Sequence, residues 1–260
     1  MPLIAHRELI ATFVRRDLLG RYRGSFLGLL WSFLNPLFML AIYSLVFSSF
    51  MRLGQSEGVG TPYYPLFIFT GMIPWLAFSQ ALTSSSRTIL SNANLVKKTV
   101  FPLEVLPAVD VISGLVHSLF ALTILLLAIV ILPDQPLHPT VLWLPLVMMP
   151  QLLFTLGLGW FLASISVFVR DVREAVPMIL MAWWFTTPIL YPPSIVPKHL
   201  IRYMDLNPMK LLIDNYRRVL IHGDAPDWHS LAAVTAVGLV AFLLGRAWFM
   251  KTKRAFADVL

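Results

Sequence analysis

Residues 29–51 read LLWSFLNPLFMLAIYSLVFSSFM, 23 consecutive positions without a charged side chain. A helix needs about 20 apolar residues to cross a hydrocarbon core about 30 Å thick. The run exceeds the apolar region of a secretory leader, about 7–15 residues, and no small-residue cleavage site follows it. It is expected to stay in the membrane. Four more segments qualify in the same way, roughly 63–84, 105–132, 141–168 and 175–192. A sixth, roughly 229–250, carries Arg246 near its end, where a long side chain can reach the interface. The expected fold class is all-α: a polytopic membrane protein with six transmembrane helices.

Composition agrees. Of the 260 residues, 58% are hydrophobic and 13% charged, against about 25% charged in ordinary soluble domains. Mean hydropathy is +0.76. The net charge of +7 sits in short blocks between apolar runs, as in a protein meeting anionic headgroups. No basic face with interleaved aromatics lies outside those runs, so nucleic acid is not an expected partner. Cysteine is absent, which excludes disulfides, thiolate nucleophiles and Cys-based metal sites.

Lys and Arg set the orientation. With six spans, one side holds Arg7, Arg15, Arg16, Arg21, Arg23, Arg87, Lys97, Lys98, Arg170, Arg173, Arg246, Lys251, Lys253 and Arg254, 14 in all. The other holds six: Arg52, Lys198, Arg202, Lys210, Arg217 and Arg218. Both termini are therefore expected in the cytoplasm.

Five of the six outer charges lie in 192–228, the one long connection. Asn207-Pro208 reads as N-cap and first helical residue. Met209, Leu212, Ile213, Tyr216, Val219 and Leu220 follow at helical spacing, and Lys210, Asp214, Arg217 and Arg218 take the other face. Gly223 is a stop signal. Val196-Pro197 opens a shorter stretch through Met204. The segment 193–225 thus reads as a helical hairpin lying on, or dipping into, the outer face, or as a helix resting in the lipid interface. At the other extreme, 4–24 reads as an interfacial helix. Ile10, Phe13, Val14 and Leu18 share a face, which Asp17 interrupts.

Chemistry is sparse. No G-x-x-x-x-G-K-[ST] loop, no dinucleotide fingerprint after a strand and no G-x-S-x-G elbow occurs. None of the six His pair at i, i+4, so no helical metal site is expected. Asp110 and His117 lie seven apart within one span, with Ser113, Gly114 and Ala121 on the same face. They read as a polar helix contact or as an intramembrane functional pair. Gly159 and Ala163, with Gly157 and Ser164 nearby, allow close helix packing. Tyr63, Tyr64, Trp75, Trp143, Trp228 and Trp248 sit near span ends, as an interfacial belt does. Trp183, Trp184, Phe185 and Tyr191 lie within one span, and serve lipid packing or stack on sugar rings. The inner loop 87–104 holds a short helix that Ser91 or Asn92 caps and Pro102 ends, of a size to dock a soluble partner.

Three motifs carry a family resemblance. Arg16-Asp17-Leu18-Leu19-Gly20-Arg21-Tyr22-Arg23-Gly24-Ser25-Phe26-Leu27-Gly28-Leu29-Leu30-Trp31 leads to Asn35-Pro36-Leu37. Val96-Lys97-Lys98 precedes Phe101-Pro102 and Glu104. Val167-Phe168-Val169-Arg170-Asp171-Val172-Arg173 leads to Thr187-Pro188-Ile189-Leu190-Tyr191. In this order, over nearly the whole chain, they resemble the membrane subunit of ABC-2 exporters, in the branch that moves O-antigen, capsule or teichoic acid.

The resemblance implies a channel-forming permease in a bacterial inner membrane, a single transmembrane domain over 1–260, working as a homodimer with two copies of a cytoplasmic ATPase subunit. ATP and Mg would bind that partner and no cofactor this chain, which is then a transport subunit and not an enzyme. The implied cargo is a glycan on undecaprenyl pyrophosphate, with O-antigen first. Asn94, Leu95, Val96, Lys97 and Lys98 would couple to the ATPase. Arg15, Arg16, Arg21 and Arg23 would receive the pyrophosphate, unless they only orient the chain. Tyr43, Phe47, Trp183, Trp184, Phe185 and Tyr191 would be channel aromatics, and the hairpin the outer gate. The alternatives are another ABC-2 cargo (capsule, teichoic acid, lipid or drug) or a membrane-embedded acyl- or glycosyltransferase built on Asp110 and His117.

Overall fold

The computed structural model describes residues 6–20, 24–43, 45–46, 64–98, 101–133 and 136–260. Arg21, Arg23, Phe47, Arg52 and Tyr63 lie outside the described residues. Among those described there is no strand. The helices are α1 Arg7–Gly20, α2 Trp31–Tyr43, α3 Tyr64–Ser91, α4 Ala93–Lys98, α5 Val105–Ile131, α6 Leu144–Phe168, α7 Val172–Thr186, α8 Lys198–Met204, α9 Pro208–Arg217, α10 Trp228–Thr252 and α11 Phe256–Val259.

Four of these are long and apolar enough to cross a bilayer: α3, α5, α6 with the turn Pro139–Trp143 before it, and α10. At 1.5 Å per residue, the 28 residues of α3 reach about 42 Å. The described part of α2 has 13 residues and α7 has 15, each short of a full crossing. The cause in α7 is local. Pro188 disfavours the helical region for the residue before it, and Thr187 is extended, with φ −99° and ψ 129°. The hydroxyls of Thr186 and Thr187 turn back onto the Trp183 carbonyl at 3.0 and 2.8 Å. The helix therefore stops at Thr186, and residues 187–192 run on as irregular chain.

α3 is the hub, buried on nearly every side and packed against α5, α6, α7 and α9. α6 and α10 form the most extensive helix pair, and glycine explains how. A Cβ on Gly157 would land on the Ala241 carbonyl, one on Gly245 would land on the Gly157 carbonyl, and one on Gly238 would reach the Pro150 carbonyl. The helices thus touch backbone to backbone. Gly159 faces α3 and α5 instead, where a Cβ would stand 3.1 Å from the Ser85 hydroxyl. The far side of α10 exposes Val237, Leu239, Val240, Leu243 and Leu244. So much bare apolar surface is stable only in lipid.

One end of the bundle carries α1, α4 and α11. Ile10 and Val14 of α1 pack with Val105 and Val109 of α5, and Phe13 meets Phe101 at 5.5 Å between centroids. Lys253 pairs with Glu104 at 3.1 Å, and the Trp160 indole donates to the Glu104 carbonyl at 3.0 Å. Burial opposes ionisation of Glu104, but hydrogen bonds to its carboxylate and the Lys253 ammonium outweigh that and hold the carboxyl below its usual range.

Candidate functional site

The opposite end is built around α9. Asn207 caps it as its spacing predicts, its Oδ1 accepting from the Met209 N–H at 3.0 Å with Pro208 next. The same side chain does more. Its Oδ1 also accepts from the Trp183 indole at 3.0 Å, and its Nδ2 donates to the Thr187 hydroxyl at 2.8 Å. One amide therefore joins the end of α7, the bend after it and the start of α9. Gly223 closes the following π-turn, Arg218–His222, in the left-handed region at φ 72°, where a Cβ would strike the His138 ring.

α9 does not rest on the surface of the bundle. Met209, Leu212, Ile213 and Tyr216 are fully buried against α3, α6 and α10, whereas α8 leaves His199, Leu200, Arg202 and Tyr203 exposed. Arg217, expected on the polar face, is 3% exposed. It lies four residues from Ile213 and three from Leu220, on the edge of the buried stripe. Its Nη1 donates to the Pro188 carbonyl at 2.9 Å, and its Nη2 to the carbonyls of Ile189 at 3.1 Å and Phe67 at 3.4 Å. The guanidinium lies 3.5 Å over the Phe67 ring, and Asp214 stands 3.9 Å away. Burial pulls Arg217 down to about 10, which Asp214 opposes, so it is cationic at neutral pH. Irregular backbone inside a membrane bundle must find partners within the protein. Arg217 supplies them for the chain that leaves α7.

A second tie runs beside it. The Tyr216 phenol donates to Gln151 Oε1 at 2.6 Å, and Gln151 Nε2 donates to the Pro74 carbonyl at 2.9 Å. All three residues are buried, so α9, α6 and α3 share one polar thread through the core.

The aromatics divide. Trp183 packs edge-on against Phe78 at 5.4 Å and Trp75 at 6.1 Å, and Trp184 meets Trp75 at 5.7 Å. Trp183, Phe185 and Tyr191 also line one groove of about 540 Å³ with Tyr203 of α8. Trp184 and Tyr43 are not among its lining residues. Phe185 is exposed, Tyr43 half-buried.

At the end with α1, the sequence-expected docking residues sit on α4. Asn94 and Lys97 are exposed, while Leu95 and Val96 pack toward the cluster holding Ile89, Phe249 and Phe256. The side chain of Lys98 lies outside the described residues. Arg15 and Arg16 are exposed on α1. Asp110 and His117 are half-buried on α5, and no group of three His, Cys, Asp or Glu able to hold a metal occurs among the described residues.

A family model described as ABC-2 type transporter matches residues 8–221. The chain belongs to the ABC-2 type transporter family. It is a membrane-embedded transport component with multiple apolar helices. The ABC-2 chain is 35% identical to the O-antigen export system permease protein RfbA of Myxococcus xanthus, over 98% of this chain and 96% of that protein. It is 30% identical to the O-antigen export system permease protein RfbA of Klebsiella pneumoniae, over 97% and 95% of the two. It is 26% identical to the polysialic acid transport protein KpsM of Escherichia coli, over 94% and 93%.

Proposed function

We propose that this chain is the channel-forming permease subunit of an ATP-driven exporter that moves a lipid-linked polysaccharide, O-antigen first, out of the cytoplasm across a bacterial inner membrane. The observation that carries it is similarity over nearly the full length to two O-antigen export permeases, at 35% and 30% identity.

In this reading the chain crosses six times, through α2, α3, α5, α6, α7 with residues 187–192, and α10. The end with α1, α4 and α11 faces the cytoplasm, as the Lys/Arg bias favours. The sequence offers no Walker loop, so hydrolysis falls to two copies of a separate ATPase, with ATP and Mg bound there. Asn94 and Lys97 meet that subunit, with Leu95 and Val96 transmitting its push to the core. Arg15 and Arg16, with Arg21 and Arg23, receive the pyrophosphate at the inner headgroup level. Two copies meet along the exposed apolar faces of α2, with Leu37 and Phe38, and of α7, with Met178, Met181 and Phe185. The α8–α9 hairpin closes the outer end. ATP binding biases a two-state packing that this chain supplies.

Similarity to a polysialic acid transport protein favours a capsule as second cargo. Deletion of the gene, with complementation, separates the two. Loss of the lipopolysaccharide ladder supports O-antigen, and loss of capsule alone supports the second cargo. If neither glycan changes, the exporter reading fails.

A further inference from the structure

A cavity of about 570 Å³ lies at the hairpin end, between α9 and the start of α10, and is separate from the aromatic groove. That size falls within the range of small-molecule sites, about 300–1,000 Å³. Its wall is polar. Asp205, Lys210, Asp214, Arg217, Arg218 and Asp227 line it, with Asn215, His229 and Ser230.

The charges compensate one another. Lys210 holds Asp205 at 2.7 Å and Asp214 at 3.0 Å, and Arg218 is 3.9 Å from Asp224. Three carboxylates stand against three cations on the wall, so neither a bare cation nor a phosphate gains a strong net field. Hydrogen-bonding capacity remains unused. Each carboxylate offers about four acceptor positions, and Lys210 has two partners for three N–H bonds. The Arg217 side chain is 3% exposed, and its Nε has no hydrogen-bond partner.

A ligand that fits is neutral, compact and able to donate and accept from the same atom. Sugar hydroxyls meet all three conditions: each can donate to a carboxylate while accepting from Lys or Arg. We infer that the cavity between α9 and α10 is a saccharide subsite, which holds a segment of the glycan as it leaves the outer end. This rests on the proposed export function and adds a contact outside the seam between two copies.

The test uses the full exporter in cells. A photoreactive benzoylphenylalanine replaces Ala233 or Leu211, apolar residues of the cavity lining, or Val240 on the lipid-facing side of α10 as control. Cells are fed radiolabelled sugar and irradiated during export, and the purified chain is scored for attached glycan. The expected result is glycan crosslinked at 233 and 211, background at 240, and loss of the signal when the ATPase is disabled. Normal surface glycan with no crosslink at either lining position, or with phospholipid alone attached there, overturns the subsite and leaves the exporter reading standing. Normal surface glycan after deletion of the gene overturns both.

Discussion

The Arg217 guanidinium donates to the Pro188 carbonyl at 2.9 Å, so the end of α9 holds the chain that leaves α7. The same cation reaches Ile189 and Phe67. The end of α9, the bend and the start of α3 are therefore tied at one side chain.

Arg217→Met removes the guanidinium donor from the Pro188 and Ile189 carbonyls. Each unsatisfied buried group costs about 1–3 kcal/mol. Thermal unfolding of the purified chain should drop by several degrees and export should fail. Arg217→Lys should recover only part of the stability, because an ammonium cannot present the planar fork or stack on Phe67. Full recovery by Lys would contradict the assigned geometry.

The glycines of α6 and α10 predict an order of damage. Gly245→Ala places a methyl on the Gly157 backbone, which cannot yield, whereas Gly159→Ala meets a Ser85 hydroxyl at 3.1 Å that can shift slightly. Overpacking of this kind costs about 1–3 kcal/mol. Folded yield by size-exclusion chromatography should fall for the first variant and stay near wild type for the second.

Glu104 predicts a pH dependence. Its carboxyl lies below the ordinary value of 4.5 in the folded chain, so the unfolded chain binds the proton first as pH falls. Stability from the Lys253 pair is full above about pH 5 and is lost as pH drops through the folded value. Glu104→Gln should cost roughly 1.5 kcal/mol at neutral pH, and the gap in melting temperature should narrow as pH falls below the ordinary value of 4.5. A gap of constant size from pH 7 to pH 3.5 would remove the ion pair from the account.

Lys97→Glu changes an exposed residue of α4 and should leave folding intact. In the assembled exporter it should weaken recovery of the ATPase subunit in pull-downs and reduce transport-linked ATP turnover. Unchanged capture and turnover would take Lys97 out of the docking face.

Helix positions were largely legible in the sequence because apolar run length and capping chemistry are local. Asn207-Pro208 and Gly223 marked α9 correctly, and Ile10 and Val14 of α1 are buried as their spacing suggested. What was not legible depends on contacts distant along the chain. Arg217 read as a surface cation because its partners, Pro188, Ile189 and Phe67, lie 28 to 150 residues away. Its i+4 relation to Ile213 was the one available signal. The bond between Tyr216 and Gln151 gave no signal, since a lone Gln in an apolar run acquires meaning only when a second helix brings it a partner. The early end of α7 was marked by Thr187-Pro188, but hydropathy alone carried the span through it.

The chain lacks cysteine, so each introduced cysteine is a unique reporter. Single cysteines at Asn94, Asp258 and Asp205, treated in intact spheroplasts with a membrane-impermeant maleimide, test the placement on which the account depends. Labelling is expected at 205 alone, with 94 and 258 reacting only after permeabilisation. Labelling of 94 or 258 in intact spheroplasts, or protection of 205, would contradict it.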